Sequence, residues 1–243
     1  MQNAISHNRS LLSAKSVVKG LKLDCLLLER GKKYIPDSID LIITLGGDGT
    51  LLEAAHFAGN VPILAVNSMP EYSVGFFCIA NASNLESVLR KIQTGKLRPK
   101  KINLLEAKIG NKKMMPLAVN DILVTKESPA ETLSYSISIG KKRESQRSSG
   151  VWVSTSAGST GGIGSAGGKR MKLAKKGMQY LIREPMKRYD LHKGFVGPNK
   201  TIEIIPETDK CFIYIDGNKN RHHVPLGERL SIRNSESLLN IFI

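Results

Sequence analysis

The chain has 243 residues, enough for one large domain or two of ordinary size, and its 41% hydrophobic content with scattered Gly and Pro excludes a disordered or fibrous class. A formal charge of +15 favours polyanionic partners such as nucleotides, nucleic acid or an acidic membrane surface, without choosing among them. No apolar run approaches the roughly 20 residues that span a bilayer, and Cys25, Cys78 and Cys211 lack metal-ligand spacing, which suits small core residues in a reducing cytosol.

The first 23 residues hold Arg9, Lys15 and Lys19 and no acid, a composition shared by organelle transit peptides. Leu11, Leu12, Val17, Val18 and Leu21 also lie near one helical face, so the stretch reads as an amphipathic helix ending near Gly20. A strand is predicted through Leu23 to Leu28, and another in the apolar run Ile39 to Leu45. A helix from Thr50 to Gly59, a buried strand from Pro62 to Asn67 and an amphipathic helix from Ala82 to Thr94, stopped by Gly95, follow. This alternation is that of a parallel sheet.

After Pro99 the pattern changes to short strand candidates: Ile102 to Ile109, Leu117 to Thr125, Leu133 to Ile139, Val151 to Thr155, Ile202 to Ile205 and Phe212 to Ile215. One helix-like segment, Lys169 to Lys176, interrupts them; its five basic residues in eight read as a solvated face, since no aromatics are interleaved for single-strand binding. His222 and His223 read as exposed turn residues. The expected organisation is an α/β domain over residues 1–98 and a β-rich domain over 99–243, with the C-terminal segment a candidate to return to the first.

Leu45-Gly46-Gly47-Asp48-Gly49-Thr50-Leu51-Leu52 carries the sharpest chemical signal, since it follows a buried strand and opens a helix. Glycines let the backbone turn tightly and let a ligand approach it, and the amides of the next helix offer donors at a positive dipole end. That is a phosphate and ribose site, with Asp48 as its sole carboxylate; the residues alone leave Asp48 open between a helix cap and a base. No Walker A pattern occurs. Gly162-Ile163-Gly164-Ser165-Ala166-Gly167, with Glu184 about 20 residues on, matches the dinucleotide fingerprint, but its strand-rich surroundings do not alternate as a Rossmann sheet should.

The octapeptide resembles the Gly-Gly-Asp-Gly-Thr signature of NAD kinases, of diacylglycerol and sphingosine kinases, and of 6-phosphofructokinase-like enzymes. Further segments point to the NAD kinase family: Pro62 to Asn67 with Pro70, Gly75 and Phe76; Val119-Asn120-Asp121-Ile122, similar to its Asn-Asp/Glu pair; Val153 to Gly168, similar to its second Gly/Ser/Thr-rich loop; and Asp216-Gly217 followed by Gly227. Pro70 to Ser73, Ser149 to Thr155 and Arg183-Glu184-Pro185 most resemble the branch holding plant NADH kinase and the animal mitochondrial enzyme.

This resemblance implies a Rossmann-like α/β domain joined to a β-sandwich-like domain, with the active site in the cleft between them. It implies transfer of the terminal phosphate of ATP, or of another donor, to the adenosine ribose 2'-hydroxyl of NAD or NADH. Position by position, Asp48 would be the general base. Gly46, Gly47, Gly49 and Thr50 would cradle donor phosphates bridged by Mg²⁺. Asn120 would bind the adenosine portion of the acceptor, Asp121 its ribose, and Thr160 and Ser165 would line the adenine and ribose pocket. By the resemblance a homo-oligomer, dimer or tetramer, is expected; the location expected from the sequence is the cytoplasm, with an organelle left open, and no specific nucleic acid or membrane partner is expected.

Departures from the family pattern are Ser149, where many members carry Asp, and Gly161-Gly162, where many carry Ala-Tyr and so an aromatic stacking surface. By the resemblance the chain opens on the family's first helix, and the preceding strand with its phosphate-contacting turn is expected to be missing from it. Two other functions fit parts of the sequence: a lipid kinase of the diacylglycerol or sphingosine type, and a dinucleotide-binding sensor without turnover.

Overall fold

The computed structural model describes residues 2–31, 38–128 and 130–243. They divide into two compact units, residues 1–101 with 239–243 and residues 102–238. Among the described residues no helix is long and apolar enough to cross a membrane.

In the first unit, α1 (Gln2–Gly20) precedes β1 (Ile42–Gly46), α2 (Asp48–Ala55), β2 (Ile63–Asn67), the short β3 (Ala80–Asn81) and α3 (Leu85–Gln93). β1 and β2 run parallel, with Ile42 opposite Ile63 and Gly46 opposite Asn67. Every residue of β2 is buried, as expected for a central parallel strand covered on both faces. Residues 241 and 242 complete this sheet by pairing in parallel with Ile63 and Leu64. α3 forms because Leu85, Val88 and Leu89, spaced at i, i+3 and i+4, bury one stripe. Each contributes about 1.5–3 kcal/mol when fully buried. The helix stops where Thr94 Oγ1 donates to the Arg90 carbonyl and Gly95 takes a left-handed φ of +67°.

The second unit contains β4 (Lys100–Ile109, from its third residue), β5 (Lys112–Lys113), β6 (Asp121–Lys126), β7 (Leu133–Ile139), β8 (Lys142–Ser148) and β9 (Gly150–Ser154). A 3₁₀ turn (Ala157–Thr160) and the one-turn α4 (Gly162–Ser165) come next. β10 (Met178–Arg183), β11 (Lys193–Val196), β12 (Thr201–Pro206), β13 (Cys211–Ile215), β14 (Asn220–Val224) and β15 (Leu230–Phe242) complete the chain, the last strand ending in the first unit. One antiparallel sheet has the order β11-β10-β9-β6-β13-β14. Against it stand β12, β7 and β8 with β15. Alternate residues from both sets, among them Val151, Val153, Ile213, Ile215, Ile202, Ile204, Tyr135 and Ile137, form one core. That is the packing of a β-sandwich.

Several sequence expectations need correction. Leu23 to Leu28 is no strand: Leu26 and Leu27 are 54% and 59% exposed, and no described strand pairs with the segment. An apolar run becomes a strand only where a neighbour accepts its backbone bonds. Lys169 to Lys176 is no helix. Its backbone is taken instead by side chains: Gln179 exchanges two bonds with Lys169, Ser156 Oγ donates to the Leu173 carbonyl, and Ser159 Oγ accepts from the Met171 amide. The segment is nonetheless largely exposed, as a solvated face should be. β6 starts at Asp121 rather than Leu117, and α2 is shorter than Thr50 to Gly59 implied. His222 and His223 belong to β14, where the His222 ring meets the Met115 carbonyl and the His223 ring lies against Phe212. Cys25 is exposed rather than a core residue.

Candidate active site

In the first unit the chain leaves β1 at Gly46, turns at Gly47 and enters α2 with Asp48 as its first residue. Gly46 cannot carry a side chain, because a Cβ there would collide with Thr50 Oγ1. The Gly47 carbonyl accepts the Thr50 and Leu51 amides at 3.0 and 3.4 Å, which fixes the first turn. The first amides of a helix have no acceptor within it, so this turn presents donors to an anion. Gly49 is exposed, and Gly47 and Thr50 are half-buried.

The Asp48 carboxylate is held from outside its own helix. Oδ2 accepts the Phe76 amide and Oδ1 the Phe77 amide, each at 2.9 Å. The loop that supplies those amides is itself pinned, since Asn67 Nδ2 donates to the Ser73 carbonyl and Asn67 Oδ1 accepts the Met69 amide. Phe77 is buried and anchors the donors from below. Each carboxylate oxygen keeps a further lone pair, so the group is an oriented acceptor open to a hydroxyl. Beside it, burial and the Asp48 charge push the Cys78 thiol up to about 11, which keeps it neutral and unreactive.

In the second unit Asn120 and Asp121 are placed by Asp216, a residue at φ +50° between β13 and β14. Its carboxylate accepts the amides of Val119 and Asn120 at 2.7 Å and of Asp121 at 3.1 Å. From the other side the Gly/Ser/Thr loop closes on the same turn. Thr155 donates its amide to the Asn120 carbonyl and its hydroxyl to the Val119 carbonyl, and Ser154 Oγ also reaches the Asn120 carbonyl at 3.2 Å. Gly158 lies so close that a Cβ would strike the Asn120 carbonyl oxygen and sit 2.6 Å from its Cα. Nothing larger than glycine fits.

Two features of this turn suit a ligand site. Asn120 Oδ1 is buried and has no hydrogen-bond partner among the described residues, a rare and costly state unless something else donates to it. Asp121 is 8% exposed. Burial, with Asp216 beside it as the second cause, pushes its carboxyl up to about 7. Thr160 and Ser165 end the 3₁₀ turn and α4 on the same loop, both exposed. The fingerprint-like hexapeptide Gly162 to Gly167 opens with this one-turn helix between the antiparallel strands β9 and β10 and not in a βαβ unit, in keeping with its strand-rich surroundings. The structure thus brings together Gly46, Gly47, Asp48, Gly49 and Thr50 in one unit. It brings Asn120, Asp121 and the loop bearing Thr160 and Ser165 together in the other. Asp216 and the Phe76 and Phe77 amides are site elements whose role the sequence did not announce; their partners lie 28 to 97 positions away.

A glycine-rich strand-to-helix turn with an oriented carboxylate, and a separate polar loop with an orphaned amide oxygen, define a nucleotide-handling protein of the phosphotransferase kind. Residues 7–97 match the family described as the ATP-NAD kinase N-terminal domain. A probable NADH kinase of Oryza sativa subsp. japonica is 31% identical over 98% of this chain and 81% of its own length. The NADH kinase of Arabidopsis thaliana is 34% identical over 84% of this chain and 73% of its own. The chain belongs to the NAD kinase family, and with that the lipid kinase and the sensor without turnover lose their support.

The fold agrees. An Archaeoglobus fulgidus NAD kinase solved with ATP superposes with a TM-score of 0.82 at 24% identity, covering 96% of this chain and 89% of that one. Yeast NADH kinase solved with NADH gives 0.74 at 21%, covering 84% of this chain and 61% of the yeast chain.

Proposed function

We propose that this enzyme transfers the terminal phosphate of ATP to the 2'-hydroxyl of the adenosine ribose of NADH or NAD, producing NADPH or NADP. The observation that carries the reading is the Asp48 carboxylate, oriented by the Phe76 and Phe77 amides at the mouth of the glycine turn. In that position it accepts the proton of the attacking ribose hydroxyl as the new O–P bond forms and the terminal phosphorus parts from the bridging oxygen that leaves with ADP, work that contributes about 10²–10⁴-fold in rate. The Gly46, Gly47, Gly49 and Thr50 turn holds donor phosphates through those amides that the first turn of α2 leaves without an acceptor. Among the described residues no three His, Cys, Asp or Glu side chains gather as a metal site. Mg²⁺, expected with ATP, would neutralise charge on the donor's phosphates.

The acceptor is held in the second unit. Asn120 Oδ1, buried and lacking a partner, accepts a donor from the adenosine portion. Asp121, in its charged form, accepts a ribose hydroxyl, and Thr160 and Ser165 border the same site. Both oxidised and reduced dinucleotides are acceptors, since every group named here addresses the adenosine half. The test is incubation of the purified protein with Mg-ATP and either NAD or NADH, with product read by a dehydrogenase that accepts only the 2'-phosphorylated dinucleotide. Signal with either acceptor supports the reading. Silence with both, under conditions where the protein is folded, refutes it.

A further inference from the structure

Trp152 is the single tryptophan of the chain, and three observations place it at the acceptor loop. First, a Cβ on Gly162 would lie 2.9 Å from Trp152 Cη2 and 3.0 Å from Cζ2, so the indole's six-membered ring fills the space beside the first residue of α4. Second, the strand register puts Trp152 opposite Leu123 and Ser154 opposite Asp121. Residues two apart share a sheet face, so Trp152 is the diagonal neighbour of Asp121, about 7–8 Å away. Third, a Cβ on Gly161 would lie 3.7 Å from Asp121 Oδ2. The Gly161-Gly162 pair therefore spans the distance between the carboxylate and the ring, with no side chain of its own in the way. Trp152 remains partly accessible, between buried and exposed, and is flanked in register by Leu123 and Leu181.

A buried sheet tryptophan needs no such bare approach, and a surface one would not force glycine on the loop above it. The geometry points to Trp152 as the aromatic wall against which the adenine of the dinucleotide stacks, making it a binding and specificity-determining residue of the acceptor site. This rests on the acceptor reading above: a ribose held at Asp121 carries its base to one side, and Trp152 is the diagonal neighbour on that sheet face. Stacking of this kind tolerates any planar base face, and its loss costs binding rather than chemistry.

The test uses the single indole as its own reporter. Titration of the wild-type protein with ADP-ribose, which carries the adenine half, is expected to change Trp152 emission saturably; nicotinamide mononucleotide, which lacks adenine, is expected to leave it unchanged. Trp152→Ala is expected to raise KM for the dinucleotide about tenfold or more while kcat stays within about twofold; Trp152→Phe is expected to stay within about threefold of wild type in KM. An emission indifferent to ADP-ribose, or a response to the mononucleotide alone, overturns the proposal, as does an unchanged KM in Trp152→Ala. If the alanine variant does not fold, the wild-type titration and Trp152→Phe decide. Absence of turnover in the wild type speaks against the kinase reading and leaves the ADP-ribose titration to judge Trp152.

Discussion

Replacing Asp121 by Asn should make the protein more stable above neutral pH while weakening its hold on the acceptor. The native carboxyl is raised from 3.8 to about 7, first by burial and second by the Asp216 charge. Between those values the native state keeps a proton that the unfolded chain has released. Stability rises with pH only where the unfolded state binds more protons; here the native state binds more, so the sign is reversed. The contribution of Asp121 is fully present below about pH 4 and is lost as pH rises through 7. A shift of roughly three units at 1.36 kcal/mol each sets the loss at up to about 4 kcal/mol. The carboxamide of the variant stays neutral throughout and escapes that loss. Urea unfolding of both proteins at pH 5, 6.5 and 8 gives the difference directly, and other titrating groups cancel in it. The variant should gain on wild type by a few kcal/mol between pH 5 and 8. A difference independent of pH, or one favouring wild type at pH 8, would refute the reasoning.

Other perturbations follow from the same turn. Gly158→Ala drives a methyl into the Asn120 backbone; overpacking of this kind costs about 1–3 kcal/mol, a fall of several degrees in Tm, and a rise in KM for the dinucleotide should accompany it. Asp216→Ala removes the acceptor of the Val119, Asn120 and Asp121 amides. One charge-assisted bond is worth about 1.5–3 kcal/mol, so chemical denaturation should show at least that loss. The wild-type KM for NAD or NADH should fall as pH rises through about 7, because the charged form of Asp121 accepts the ribose hydroxyl; in Asp121→Asn the inflection should vanish, as steady-state kinetics across pH 6 to 8 would show.

How much of this was legible in the sequence depended on the range of the interaction. Gly46 to Thr50 announced itself because a buried strand, a glycine turn and a helix start are all local signals, and β7 and the end of α3 at Gly95 were readable for the same reason. β8 was missed because an edge strand reading Lys-Arg-Glu-Ser-Gln-Arg-Ser shows charge rather than alternation. Leu23 to Leu28 misled in the opposite direction, having strand composition but pairing with no strand among the described residues. Lys169 to Lys176 had helical composition, but Gln179, Ser156 and Ser159 compete for its backbone, and no periodicity records that. At the site, Asp48, Asn120 and Asp121 were named from motifs. What positions them, the Phe76 and Phe77 amides and the Asp216 carboxylate, comes from segments distant in sequence that only the fold brings near. The Gly161-Gly162 pair looked like a loss of aromatic surface; the structure shows Trp152 occupying the space beside it.

The most direct test of the account is the kcat of Asp48→Asn with Mg-ATP and NADH, beside wild type, with folding checked by circular dichroism. Asparagine retains one acceptor for the Phe76 and Phe77 amides and turns a donor toward the other, a local cost of about 1–3 kcal/mol. The expected result is a folded variant whose kcat is lower by about 10²–10⁴ with KM for the dinucleotide little changed. A folded variant that keeps wild-type kcat would contradict the assignment of Asp48 as the proton acceptor.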